Sequence, residues 1–407
     1  MDIRIEQPCP QCGGPVELSE SDRLLTCSYC GVRSFLRSRG LFRYVLPVRG
    51  RQSDLLHAPY LRFKGTIFLV REERIEHQLV DTTQAAVDQP GLPPSLGLRP
   101  QAMRLARLGE ATGGAFLRPT IRAAAVLERA ARLSTLFRDK GTMYHRAFIG
   151  ETVSFIYLPL QRRESGLFDA IRERLLVVRE DADGLQGIPF STRWQVDFLP
   201  TLCPHCGWNL DGEGDGLLLT CSNCDRAWLA DNTGLLPVSW KVVAGDQRTR
   251  LYIGFWRIGA RIPALAMESF ADFIELTNQP MLPRPEWRSR PMEFWIPAFR
   301  IRPRLFLRLG RQATMGQYRL RPQPATVRPG LYPVTLPPAE ARQAVKVILA
   351  ASAASPKRIF PVLPRVRPTD LSISLVYLPF VSTGQEWLQP RTGMVINKRV
   401  LGFGRSL

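Results

Sequence analysis

The chain lacks the patterns that mark most enzymes. No glycine-rich phosphate loop of either common type is present, and neither is an H-E-x-x-H zinc motif or a G-x-S-x-G nucleophile elbow. Histidine is scarce, with four residues in 407, at positions 57, 77, 145 and 205. His57 precedes an expected strand, but nothing near it in sequence identifies a nucleophile it could activate. Acidic pairs such as Glu72-Glu73 and Asp181/Asp183 are most simply read as solvated loop charges. The chain also lacks any run of eighteen apolar residues, so no helix is expected to span a membrane. Residues 1–7 carry two acids and no apolar run, which excludes a secretion signal there. The expected setting is therefore a reducing cytoplasm, with a peripheral position on a membrane left open.

Lysine is scarce as well: six of the 55 basic residues, the rest being arginine. Net charge is +19, of which residues 1–200 carry +6 (28 basic, 22 acidic) and residues 201–407 carry +13 (27 basic, 14 acidic). A field of this size attracts nucleic acid, an anionic membrane surface or an acidic protein. An arginine-rich composition also follows from a GC-rich genome, so charge alone selects no partner. Tryptophan is distributed unevenly. Only Trp194 lies in the first half, and seven others lie beyond it. The segment Pro285-Glu286-Trp287-Arg288-Ser289-Arg290 has no apolar periodicity and reads as an exposed recognition loop.

Cysteine occurs eight times, in two groups of four. Cys9-Pro10-Gln11-Cys12 is followed after fourteen residues by Cys27-Ser28-Tyr29-Cys30. Cys203-Pro204-His205-Cys206 is followed after the same gap by Cys221-Ser222-Asn223-Cys224. Two residues between paired cysteines let one tight turn aim both sulfurs at a common point, as a tetrahedral metal requires. Pro10 and Pro204 fix φ inside their turns. Gly13, Gly31 and Gly207 follow three of the four pairs, where the chain leaves with φ > 0. Asp225 stands at the fourth such place and tolerates that conformation. Disulfides would need an oxidising compartment. Redox dithiols would need a thioredoxin-like βαβ setting. An iron site of rubredoxin type usually has a longer gap between pairs. Zinc, two ions per chain, is the reading these alternatives leave strongest. Cys9, Cys12, Cys27 and Cys30 would hold one ion, and Cys203, Cys206, Cys221 and Cys224 the other. His205 is expected at the surface, because its site already has four thiolates. Four thiolates leave no open coordination position, so chemistry at the metal is not expected. Ion binding should contribute on the order of 10 kcal/mol to folding each site.

On these residues both sites resemble zinc ribbons, over residues 7–36 and 201–230. The resemblance implies a metal-stapled hairpin. It does not imply a task, since zinc ribbons serve nucleic-acid machinery, enzymes and assembly subunits alike.

Beyond the cysteines, the order of short segments recurs. Leu235-Leu236-Pro237-Val238 answers Val45-Leu46-Pro47-Val48. Gly254-Phe255-Trp256-Arg257-Ile258 answers Pro59-Tyr60-Leu61-Arg62-Phe63. Residues 302–314 answer 99–112, and a helix over 339–353 answers one over 121–137. Ser374-Leu375-Val376-Tyr377-Leu378-Pro379 answers Ser154-Phe155-Ile156-Tyr157-Leu158-Pro159. The expected fold class is α+β: two tandem copies of a zinc ribbon followed by a β-rich domain with one or two helices, arranged about a pseudo-twofold axis. The expected boundaries are 1–40 for the first ribbon, 41–200 for its β-rich domain, 201–234 for the second ribbon and 235–407 for the second domain. The basic, glycine-punctuated run from Asn397 to Arg405 reads as a solvated end. The expected role is a non-catalytic scaffold or accessory subunit docking onto a larger protein complex. The alternatives are a nucleic-acid-binding protein using the basic second half, or a peripheral protein at an anionic membrane surface.

Overall fold

The computed structural model describes residues 3–48, 54–97, 104–121 and 141–405. Strands make up 43% and helices 18%, so the class is α+β with helices as covering elements. β1 (Arg4–Pro8) and β2 (Pro15–Ser19) flank the first cysteine turn, and β3 (Leu24–Thr26) and β4 (Arg33–Ser38) flank the second. The chain then builds β5 (Phe42–Val45), β6 (Leu55–Arg71), β7 (Ile75–Ala85), β8 (Arg104–Arg107), β9 (Ala115–Phe116), β10 (Met143–Arg163), β11 (Gly166–Asp169) and β12 (Arg174–Val178). These eight join β1 and β2 in a ten-stranded sheet. Its centre is the long antiparallel pair of β6 and β10. Only Lys64 of β6 escapes full burial. Both faces of that strand are covered, which is why its sequence is a near-continuous apolar run rather than an alternation.

β13 (Val196–Pro200) precedes the second cysteine group. β14 (Leu218–Thr220), β15 (Ala227–Asp231) and β16 (Gly234–Val238) form a three-stranded sheet beside that group. β17 (Trp240–Val243), β18 (Thr249–Arg261), β19 (Glu293–Pro297), β20 (Pro322–Pro324), β21 (Thr369–Thr383), β22 (Glu386–Leu388) and β23 (Val395–Asn397) form a seven-stranded sheet. Two helices cover it. Helix Pro303–Met315 starts on a proline, whose missing N–H costs nothing at that position. It buries Leu305, Phe306, Leu309 and Ala313 on one stripe and exposes Arg304, Arg308 and Arg311 on the other. Gly310 lets it lie against helix Pro338–Ser352, since a Cβ there would come within 2.6 Å of Ile348 Cδ1.

The two large sheets repeat the same neighbours in the same directions. β5 runs parallel to β10, with Val45 opposite Tyr157; β17 runs parallel to β21, with Val242 opposite Tyr377. Arg62 faces Ser154 across one long antiparallel pair, and Arg257 faces Ser374 across the other. Two of the segment matches read from sequence, at Arg62/Arg257 and Ser154/Ser374, thus coincide in register.

Two others are corrected. Val242, not Leu235, occupies the place of Val45, so the Leu-Pro-Val similarity is displaced by seven residues. Residues 104–107 form a strand against β1 and β5, whereas residues 303–315 are helical. The spatial counterpart of β8 is β20, which borders β17 as β8 borders β5. The difference follows from what precedes each cysteine group. β1 offers its edge to β8, but β13 is drawn onto β4, leaving no such edge for the second half. Residues 122–137 of the helix expected at 121–137 lie outside the described residues.

The halves interlock. β13, at the end of the first, completes a sheet with β4 and β3. The outer end of the β6–β10 pair carries Phe68, Val70, Ala147 and Ile149 into the core of the second half. There Phe68 meets Phe306, with ring centroids 5.8 Å apart. The segment around Trp287 is also corrected. Residues Pro285–Arg288 form a helical turn that directs Trp287 inward against Phe270 and Tyr318, leaving it 5% exposed. Nor is the C-terminal run a free end: Lys398–Gly404 is helical, and Arg405 is hydrogen-bonded to Asp215.

Candidate metal centres

Each cysteine pair sits in a turn closed by backbone hydrogen bonds. Cys9 N donates to Gly14 O at 2.8 Å, Cys27 N to Val32 O at 3.0 Å, Cys203 N to Trp208 O at 2.7 Å and Cys221 N to Arg226 O at 2.9 Å. The residue after each pair has positive φ: Gly13 73°, Gly31 73°, Gly207 74° and Asp225 55°. Aspartate therefore does at the fourth turn what glycine does at the other three. Its side chain adds a tether, accepting from Val327 N at 2.7 Å.

These turns bring the eight sulfurs into two groups of four, each with all ligand atoms within 4.8 Å of one another. Cys9 and Cys30 Sγ are 3.7 Å apart, and Cys12 and Cys27 3.6 Å. In the second group Cys203 and Cys224 are 3.7 Å apart, and Cys206 and Cys221 3.4 Å. A tetrahedron with metal–sulfur legs of about 2.3 Å has edges of about 3.8 Å. A disulfide would need about 2.05 Å. The donor sets are compatible with two metal ions, one per group.

The thiols are prepared unequally. The Cys27 thiol is lowered to about 6, first by the N–H of Cys30 and also by that of Tyr29. That of Cys206 is lowered to about 6, first by the Asn223 side chain and then by the Trp208 N–H. Cys224 is pushed up to about 12, by loss of water and by its three neighbouring sulfurs. Crowded thiols resist losing their protons together until a cation shares the charge. The first cysteine of every pair is buried: Cys9, Cys27, Cys203 and Cys221. The second is exposed at Cys12, Cys30 and Cys206 and half-buried at Cys224.

The two groups are not isolated knobs. Leu24 and Phe35 beside the first share a small core with Leu210, Leu219 and Trp228 beside the second. Arg33 pairs with Asp211 at 2.8 Å, and Ser38 N donates to Asn232 Oδ1 at 3.1 Å. Around the turns, Tyr29 is 68% exposed, Trp208 57% and Leu202 52%.

Other residues singled out in the sequence stay apart from these centres. His205 is exposed in its turn. His57 lies inside β6 rather than before a strand, with Nε2 2.9 Å from Gly113 O and its ring stacked on Phe116. Burial lowers its pKa. Sequence reading missed the pairing of Arg62 with Glu20. Arg62 Nε donates to both Glu20 carboxylate oxygens at 2.8 Å, tying the loop between the first two cysteine turns to the large sheet. An arginine in the middle of the apolar β6 run was the available signal.

No known protein family, curated protein or solved structure matches this chain. Among the described residues no helix is long and apolar enough to cross a membrane.

Proposed function

We propose that the chain is a non-catalytic zinc-binding scaffold or accessory subunit that docks onto a larger protein assembly. Two zinc ions per chain would be held by the two four-cysteine groups. The observation that carries the reading is the sulfur geometry: four cysteine sulfurs within 4.8 Å of one another would fill a tetrahedral coordination sphere and leave a structural metal no catalytic position. We further infer that the halves are tandem copies of one ribbon-plus-sheet unit. The matched register at Arg62/Ser154 and Arg257/Ser374 supports this. Exposed aromatic and apolar side chains on rigid, metal-stapled turns support docking, because rigid anchors lose little entropy on binding.

A nucleic-acid partner is the second reading, favoured by the +19 charge. Base stacking would need exposed rings. Trp228, Trp240, Trp256, Trp287 and Trp295 are all buried, which leaves Trp208 and the partly exposed Trp194 and Trp387. The assembly reading is preferred on that ground. Affinity purification from the native cell, with and without nuclease, tests the choice. A defined protein companion that survives nuclease supports the scaffold; loss of all companions on nuclease treatment supports nucleic acid.

A further inference from the structure

A cavity of about 660 Å³ opens between the two halves, with no cysteine in its wall. That volume is in the range of small-molecule sites, roughly 300–1,000 Å³, and such sites favour domain seams. Its apolar wall includes Phe35, Leu36, Phe42, Leu217 and Trp256. Its charged groups are Arg23, Arg300 and Arg342 against Glu151, Asp215, Asp231 and Glu340.

The carboxylates outnumber the arginines by one, but three of the four are engaged. Asp231 accepts from the Thr233 N–H and hydroxyl and from the Gly234 N–H. Asp215 is engaged by Arg405. Glu340 accepts from the successive N–H groups of Gly150 and Glu151, at a bulge of β10 where Gly150 has φ +71°. The cations have no such partners. Arg23 Nη1 donates only to the backbone oxygens of Glu20 and Asp22, at 2.9 and 3.0 Å. Arg300 Nη2 donates to the Glu151 backbone oxygen at 3.1 Å, and its Nε is buried without a partner. Neither arginine forms an ion pair with a carboxylate among the described residues. Arg23 lies over the Phe42 ring, 4.3 Å from its centroid, and Arg107 lies over the same ring at 5.3 Å. Burial first, then the like charges of Arg300 and Arg107, hold Arg23 below its ordinary pKa against the opposing pull of Tyr44 and Glu20. Crowding cations at an apolar wall is unfavourable unless an anion joins them.

We propose that this cavity binds a small anion carried on an apolar body, a carboxylate or phosphate head with a short hydrocarbon chain. Arg23 and Arg300 hold the head, and Phe35, Leu217 and Trp256 surround the tail. The proposal does not depend on the scaffold reading, since it uses neither metal centre.

Isothermal titration of the intact, metal-loaded chain with octanoate, octyl phosphate, octanol and inorganic phosphate tests it. Octanoate or octyl phosphate should bind at one site per chain, at least ten-fold more tightly than octanol and than inorganic phosphate; the better of the two identifies the head group. Arg23→Gln and Arg300→Gln should each weaken that binding at least ten-fold. Unchanged tryptophan fluorescence and metal content would show that the variants are folded. Equal binding of octanol and octanoate would overturn the proposal, as would binding indifferent to both substitutions. Absence of binding by all four probes to the unsubstituted chain would overturn it without reference to any variant.

Discussion

Arg62 and Arg257 occupy one register position in two different sheets. Each faces a serine across the long antiparallel pair, Ser154 or Ser374. Each also pairs with a carboxylate from the strand on its other side. Arg62 meets Asp81 at 2.7 Å and Arg257 meets Glu293 at 3.6 Å, from equivalent places in β7 and β19. The environments differ. Arg62 is 1% exposed and holds a second carboxylate, Glu20, whereas Arg257 is partly exposed and donates to the Ser374 hydroxyl at 3.1 Å.

That difference predicts unequal mutants. Arg62→Ala leaves Glu20 charged and buried without its partner, and should cost about 3–5 kcal/mol. Arg257→Ala should cost about 1 kcal/mol, because water reaches the groups left behind. Pairing Arg62→Met with Glu20→Gln should recover most of the first loss. Urea unfolding followed by tryptophan fluorescence separates the cases; equal costs at the two arginines would contradict the burial argument.

A second prediction concerns Glu340, whose carboxyl is pushed up to about 7. Burial is the main cause. Arg300 pulls it down, Glu151 pushes it up, and the N–H groups of Gly150 and Glu151 pull it down. The folded pKa is above the unfolded one, so this group's contribution is full below about 4.5 and is lost as pH rises through about 7. Between pH 8 and pH 6 the protein should gain about 1 kcal/mol of stability from this residue, out of the roughly 3 kcal/mol that the whole shift represents. Glu340→Gln should remove that slope and melt higher than the parent at pH 8. A melting temperature that falls equally with rising pH in parent and variant would assign the effect elsewhere.

The interlock of the halves gives a third. Phe68 is 1% exposed and lies against Phe306. Phe68→Ala should cost about 3–5 kcal/mol. It should also speed hydrogen exchange in helix Pro303–Met315, which belongs to the other half of the chain. Unchanged exchange in that helix would mean that the halves are not mechanically joined there.

The two cysteine groups were legible because metal ligation constrains spacing locally: two residues between ligands, then a residue with positive φ. Asp225 could be placed at that conformation from its position alone. Strands β5, β6, β10 and β21 contain apolar runs in the sequence. The correspondence between the halves was legible where a polar residue marked it, as Arg62, Arg257, Ser154 and Ser374 do, whereas the strand pairing was not read. Leu-Pro-Val at 46–48 and 236–238 misled because a short apolar string recurs easily and carries no such mark. Residues 104–107 and 303–315 have similar sequences but different structures, since an open edge on β1 exists only in the first half. Trp287 looked exposed because its neighbours are polar. Phe270 and Tyr318, which bury it, come from 17 and 31 residues away in sequence. Contacts of that kind leave no periodic trace.

Cys27→Ser and Cys206→Ser should each reduce bound metal from two ions to one. Because Leu24 and Phe35 share a core with Leu219 and Trp228, losing either ion should also lower the melting temperature of the other unit. Metal analysis and calorimetry on the same samples check both statements. Two independent melting transitions, with only one displaced by each variant, would contradict the shared core.

The most direct measurement is metal content with X-ray absorption at the metal edge on the purified full-length chain. The account predicts two zinc ions per chain, each with four sulfur neighbours at about 2.3 Å. Absence of metal, or a coordination shell containing nitrogen or oxygen in place of sulfur, would contradict it.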